Sequence, residues 1–128
     1  MADPIVFISY FRVNPGKLEE FSQLYHDSLP RTEASKPGTM VQLGYIDEGG
    51  SECLVMRLFP DAAAMDEQLR GSDERSKATY QFIEPLRVDI FGSPNSYSLE
   101  MIRKVSGHAI EINVYPGYLG GFVRVNPR

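Results

Sequence analysis

An α+β fold built on an antiparallel sheet is the architecture this 128-residue sequence predicts. Three features point to it. Strand-like runs alternate with segments of helical apolar spacing, two strand runs are joined by a short Asp-Glu-Gly-Gly turn, and the strands are apolar on both faces. A sheet with one face in water would alternate apolar with polar, so something must cover each side.

The first strand is Ile5 to Val13, IVFISYFRV, rich in β-branched and aromatic residues. One row is Ile5, Phe7, Ser9, Phe11 and Val13; the other is Val6, Ile8, Tyr10 and Arg12. Asn14 and Pro15 suit the cap and first position of a helix. Leu18, Phe21, Leu24, Tyr25 and Leu29 follow at helical spacing, and Pro30, then Lys36-Pro37-Gly38, are expected to end it. TMVQLGYI reads as the second strand, Asp47 to Gly50 as a hairpin turn, and ECLVMRLF as a third strand with two apolar faces. Pro60-Asp61 opens a short helix closed by Gly71. Ser72-Asp73-Glu74 starts another, in which Ala78, Phe82 and Leu86 fall four apart, and LRVDIF is the fourth strand. Beyond it, Ser93-Pro94 caps a helix with Leu99, Ile102 and Val105 on one side and Gly107 as its stop. AIEINVY alternates as a half-solvated strand, and YLGGFVRV is expected to add a short strand or an arm.

Length and composition fit one globular domain over residues 1–128, with a core of about 4–91 and an extension of about 93–128. Hydrophobic residues are 42% and charged residues 23%, and the formal net charge is −4 without a Lys/Arg cluster, which argues against nucleic acid and anionic membrane as partners. Cys53 is the sole cysteine, so no disulfide or thiolate cluster forms within one chain. The start, MADPIVF, has no basic or long apolar run, and a soluble cytoplasmic protein is expected. No cofactor or metal is expected either: His26 and His108 are far apart, and no GxSxG, GxGxxG, P-loop or HExxH motif is present.

YFRVNPGKLEEF and VMRLFPDAAAMD both run strand, Arg, two residues, Pro, helix. This echo suits a ferredoxin-like β-α-β/β-α-β plan with helices on one face, and it places Arg12 and Arg57 on one sheet face. Val6, Ile8, Tyr10, Val55 and Phe59 would share that face. Some eight such side chains expose on the order of 1,000 Å², above the ~300–600 Å² usual for a monomer's largest patch. A homodimer with the two sheet faces together is the expected cover.

FRVNPGKLEEF, the hairpin pair, FPDAAAMDEQL and the fourth strand resemble the antibiotic biosynthesis monooxygenase family over residues 4 to 91. The resemblance implies a dimeric α+β barrel with a pocket between the helices and sheet of each subunit. It also implies activities that include cofactor-free oxygenation of phenolic polyketides, haem degradation and small-molecule isomerisation. Haem-degrading members rely on a Trp, which this chain lacks. Many relatives also carry a His in the helix after the third strand, where Met65-Asp66-Glu67-Gln68 stands here.

Catalytic candidates are His26, as a general base at the pocket edge or a solvent-facing helix residue, and Tyr45, as a donor to a phenolate or an edge packing residue. Ser9, Tyr25, Arg57 and Tyr80 are the expected ligand-pocket residues. Ser9 puts a hydroxyl among large apolar groups. Arg57 would bind an anion or bridge to a carboxylate such as Asp89 across the dimer, with the bridge preferred. Cys53 reads as a small core residue. Two function classes follow: a cofactor-independent monooxygenase, or related small-molecule enzyme, on an electron-rich aromatic; or a non-catalytic dimeric protein that binds a small apolar or aromatic ligand, or has a stress-related role.

Overall fold

The computed structural model describes residues 3–124. In chain order the elements are β1 (Ile5–Val13), α1 (Leu18–Ser35), β2 (Val41–Ile46), β3 (Glu52–Phe59), α2 (Ala62–Leu69), α3 (Ser72–Thr79), β4 (Ile83–Phe91), α4 (Ser96–Ser106) and β5 (Glu111–Tyr115). The sheet order is β2-β3-β1-β4-β5, antiparallel throughout except for the parallel β4–β5 pair. The first four strands are in the ferredoxin-like order, and α4 carries the chain back so that β5 lies beside β4.

Registers decide which residues face the helices. Ile5 pairs with Phe59, Phe7 with Arg57, and Ser9 with Val55, so these six share one face. Phe7 also pairs with Ile90 and Ser9 with Val88. Two buried clusters hold this face to the helices. One joins Ile5, Phe7, Phe59 and Ile90 to Met65, Leu69 and Ile102 of α2 and α4. The other joins Val13, Cys53 and Ile83 to Phe21 of α1. Between the clusters lie Ser9 and Val55, with the ionised Arg57 close by, and the core there is hollow.

Local chemistry accounts for the boundaries. At the hairpin, the Asp47 carboxylate accepts from the Ser51 and Glu52 backbone N–H groups at 2.9 and 3.2 Å, which holds its pKa below the usual carboxylate range. Asp61 caps α2 by accepting from the Ala64 N–H at 2.9 Å. The β1–β4 register shifts between Tyr10 and Phe11: Tyr10 pairs with Arg87 and Phe11 with Pro85, leaving Leu86 as the extra residue of a bulge. Pro85 is tolerated there because β5 pairs with β4 only from Arg87 onward.

The opposite face carries Val6, Ile8 and Tyr10 with Leu54, Met56 and Leu58, and is open. Leu43, Tyr45 and Phe91 on it are exposed, and Tyr115 of β5 stacks on Phe91 at 5.2 Å. Arg87 lies over the Tyr10 ring at 3.9 Å. Residues 116–124 form an exposed arm without regular structure, with Leu119 and Phe122 in solvent.

Several sequence expectations are corrected. The echo does not place Arg12 and Arg57 together: Arg12 is on the open face, in an exposed ion pair with Glu84 at 3.1 Å, and Arg57 faces the helices. Val55 and Phe59 likewise face the helices, because antiparallel pairing sets even positions of β1 beside even positions of β3. The strand expected in AIEINVY joins the sheet as its fifth, parallel to β4. Lys17, not Asn14, precedes α1, because the Asn14 amide is engaged with the Gln81 carbonyl at 3.2 Å. Helix α1 also runs through Pro30 to Ser35. Helix α3 stops at Thr79, and Phe82 and Leu86 fall outside it, with β4 beginning at Ile83. The cap position of α4 is Asn95 rather than Ser93. The end of the YLGGFVRV segment, Val125, lies outside the described residues.

Candidate active site

The hollow between the two clusters is a cavity of about 340 Å³, at the lower end of the range for small-molecule sites. The sheet gives its floor: Phe7, Ser9 and Phe11 of β1, Gln42 of β2, and Val55 and Arg57 of β3. Helix α1 covers one side with Phe21, Leu24, Tyr25 and Arg31. The other walls are Gln68 and Leu69 of α2, Ser72 and Arg75 of α3, Tyr80, and Ile102, Val105 and Ser106 of α4. The four expected pocket residues, Ser9, Tyr25, Arg57 and Tyr80, therefore meet around one space.

Its electrostatics are one-sided. Three arginines line it, and the lining contains no Asp, Glu, His or Cys. The Arg57 Nε donates to Gln42 Oε1 at 2.8 Å, and its guanidinium lies 6.0 Å from the Phe7 ring centre. Among the described residues its terminal nitrogens have no hydrogen-bond partner and no carboxylate within ion-pair distance. The bridge from Arg57 to a carboxylate is thus replaced, within the chain, by a neutral amide. Asp89 lies on the open face, where Asn113 Nδ2 donates to it at 3.0 Å. Burial pushes Arg57 down to about 10, with the neighbouring Arg75 charge acting the same way. It remains protonated at neutral pH.

Arg75 is anchored by its own donors: Nη1 to the Arg70 carbonyl at 2.6 Å and Nη2 to the Gln68 carbonyl at 2.7 Å. Burial, and then the charge of Arg31, lower its pKa. Tyr80 shares a hydrogen bond with Ser106 Oγ at 3.2 Å, and burial holds its phenol above the ordinary value. At neutral pH it is a donor and not a base. Among the described residues Ser72 Oγ is buried without a partner.

The two catalytic candidates lie elsewhere. His26 and Tyr45 are both exposed and line a second, shallower hollow of about 170 Å³ between α1 and the β2 edge. Tyr25, with Phe21 and Val55, borders both spaces. It fits there because Gly44 has no side chain: a Cβ at that position would stand 2.8 Å from the Tyr25 hydroxyl. Cys53 is buried, as expected of a core residue, and burial pushes its thiol up to about 11.

Gln42, Gln68, Ser72, Arg75 and Arg31 are cavity residues that sequence reasoning did not single out. One signal for them exists. Helix α3, SDERSKAT, has only Ala78 as an apolar residue, so a helix with this sequence packed over a sheet must present polar groups inward. Among the described residues no three His, Cys, Asp or Glu side chains gather as metal ligands would, and no helix is long and apolar enough to cross a membrane.

No family model and no curated protein matches the sequence. Solved structures do match. MupZ from Pseudomonas fluorescens superposes with a TM-score of 0.72 at 15% identity, over 94% of both chains. SnoaB from Streptomyces nogalater, a cofactor-independent oxygenase, gives 0.60 at 18% identity, over 73% of this chain and 96% of that one. A Bacteroides thetaiotaomicron protein described as a candidate antibiotic biosynthesis monooxygenase gives 0.58 at 14%, over 69% and 85%. The fold is therefore that of antibiotic biosynthesis monooxygenase-like proteins. A match over 94% of the chain reaches well past β4, so the likeness to MupZ takes in part of the extension.

Proposed function

We propose that this chain is a small-molecule enzyme, a cofactor-independent monooxygenase whose substrate is an electron-rich aromatic bound in the cavity as an anion. One observation carries the reading: a protonated arginine presents unpaired N–H groups to an aromatic-walled cavity whose lining contains no acid. Such a site favours the ionised form of a phenol or anthrone over the neutral one, because the charge is stabilised where water is scarce. The substrate's proton leaves to solvent, since His26 does not line this cavity and Tyr80 keeps its own proton. The substrate anion then passes one electron to O₂, and the radical pair recombines to a peroxide anion, which takes a proton back from solvent to give the hydroperoxide. Loss of water leaves a carbonyl: a CH₂ and one O₂ become a C=O and one H₂O. Arg57 steadies the oxyanion, while Ser9 and Tyr80 orient the ring. The fold shared with SnoaB supports the reading at the level of architecture.

Oxygen uptake with anthrone tests it. The expected result is one O₂ consumed per anthrone, faster than in buffer, with the rate advantage lost in Arg57→Gln. Uptake no faster than buffer, with anthrone bound, would favour the second reading, a non-catalytic binding protein. The absence of a side-chain base in the cavity favours that alternative.

We also propose that the open sheet face is covered by a second copy of the chain. The apolar rows Val6-Ile8-Tyr10 and Leu54-Met56-Leu58, with exposed Leu43 and Phe91, support this, and native mass spectrometry tests it. A monomer mass at micromolar concentration would overturn it.

A further inference from the structure

We propose that the ligand carries a carboxylate as well as an aromatic body, so that the substrate class is an aromatic carboxylic acid. The inference rests on the reading of this cavity as the substrate site, though not on any oxygenation there. An ionising ring oxygen needs one cation, and Arg57 at the sheet floor supplies it. Arg31 and Arg75, on two different helices, line the same cavity as a second pair of cations.

Their positions are held against repulsion. Arg75 is tied to the Gln68 and Arg70 carbonyls, so its charge stays at the wall and does not swing into solvent. Arg31 disfavours the charge of Arg75, and Arg75 that of Arg57. Three mutually repelling guanidinium groups around one cavity that lacks an acid form a site short of negative charge. Ser72 Oγ, buried and unpartnered in the same wall, is a further neutral donor. Aromatic groups (Phe7, Phe21, Tyr25 and Tyr80) leave the rest of the space suited to a flat ring.

Equilibrium binding of two matched probes, 3-hydroxy-2-naphthoate and 2-naphthol, tests this by their fluorescence. The acid is expected to bind at least tenfold tighter at low salt, with the advantage shrinking in 0.5 M NaCl as exposed charges are screened. Arg31→Gln should reduce the acid's advantage over 2-naphthol about fivefold. Arg31 is exposed and makes no hydrogen bond among the described residues, so its replacement leaves the fold intact. Arg75→Lys is a second variant, retaining charge but losing the carbonyl anchors, and should weaken the acid less than Arg75→Gln. Equal affinities for the two probes would overturn the proposal. So would an acid advantage indifferent to both salt and Arg31→Gln. Failure of oxygen uptake, by contrast, would touch only the monooxygenase reading.

Discussion

Ser98→Ala should destabilise the protein by about 1.5 kcal/mol, because α4 is docked on α2 through a partly buried hydrogen bond to a carboxylate. Ser98 is 0% exposed, and its Oγ donates to Asp66 Oδ1 at 2.7 Å. A bond to a charged group contributes ~1.5–3 kcal/mol, and about 2 is appropriate here because Asp66 keeps some solvent contact. Alanine's better helix propensity returns roughly 0.5 kcal/mol. For 128 residues the unfolding entropy is ~0.27 kcal/mol/K, taking ~2.1 cal/mol/K per residue. The expected fall in Tm is then about 5–6 °C by circular dichroism. Asn95 donates to the other Asp66 oxygen at 2.7 Å but is exposed, so Asn95→Ala should cost no more than half as much. A Ser98→Ala melt within 1 °C of wild type, or an Asn95→Ala loss larger than the Ser98→Ala loss, would refute the docking argument.

Three further outcomes follow from the same geometry. Asp61→Ala removes the cap of α2 and should lower stability by ~1 kcal/mol in urea titration, with an unchanged m-value. Cys53 holds its proton in the folded chain to about 11, against 9.0 for the unfolded thiol, so its stabilisation is complete below the lower value and is lost as pH rises through the higher. Wild type should therefore lose Tm more steeply than Cys53→Ala between pH 9 and 11, and the native thiol should resist alkylation at pH 8. Met56→Asp places a charge at the centre of the open face, and should convert the proposed dimer to monomer by native mass spectrometry with little change in far-UV signal.

The strands and turns were legible because their signals are local. Asp47 to Gly50 and Asp61 act within a few residues, and β3 was delimited by its neighbours on both sides. What misled was information carried by pairing. Arg12 and Arg57 occupy matching places in the sequence, yet the face each takes is fixed by antiparallel register, which sequence spacing does not contain. Ala78, Phe82 and Leu86 are four apart, but only the first is helical, and Leu86 is the bulge residue that appears when β4 meets β1. The site divides the same way. Ser9 and Arg57 were found as polar interruptions of apolar rows, and Tyr25 and Tyr80 as aromatics on the covering helices. Tyr45 lay one position from Gly44, whose face is the cavity side, and His26 lay one position, about 100° of helix, from Tyr25. In each case the neighbouring position decides which space the residue sees.

The absent side chain at Gly44 gives the wall between the two hollows an unusual genetic simplicity. Tyr25 stands where it does because nothing projects from β2 beneath it. A single base change from glycine to alanine would insert one methyl group and force the ring to tilt. Tilted toward the sheet's centre, it would shrink the space for a ligand; tilted toward the edge, it would open a passage to the outer hollow. A descendant of this chain could thus change the size of its cavity in one mutational step, with all three arginines that line it unchanged.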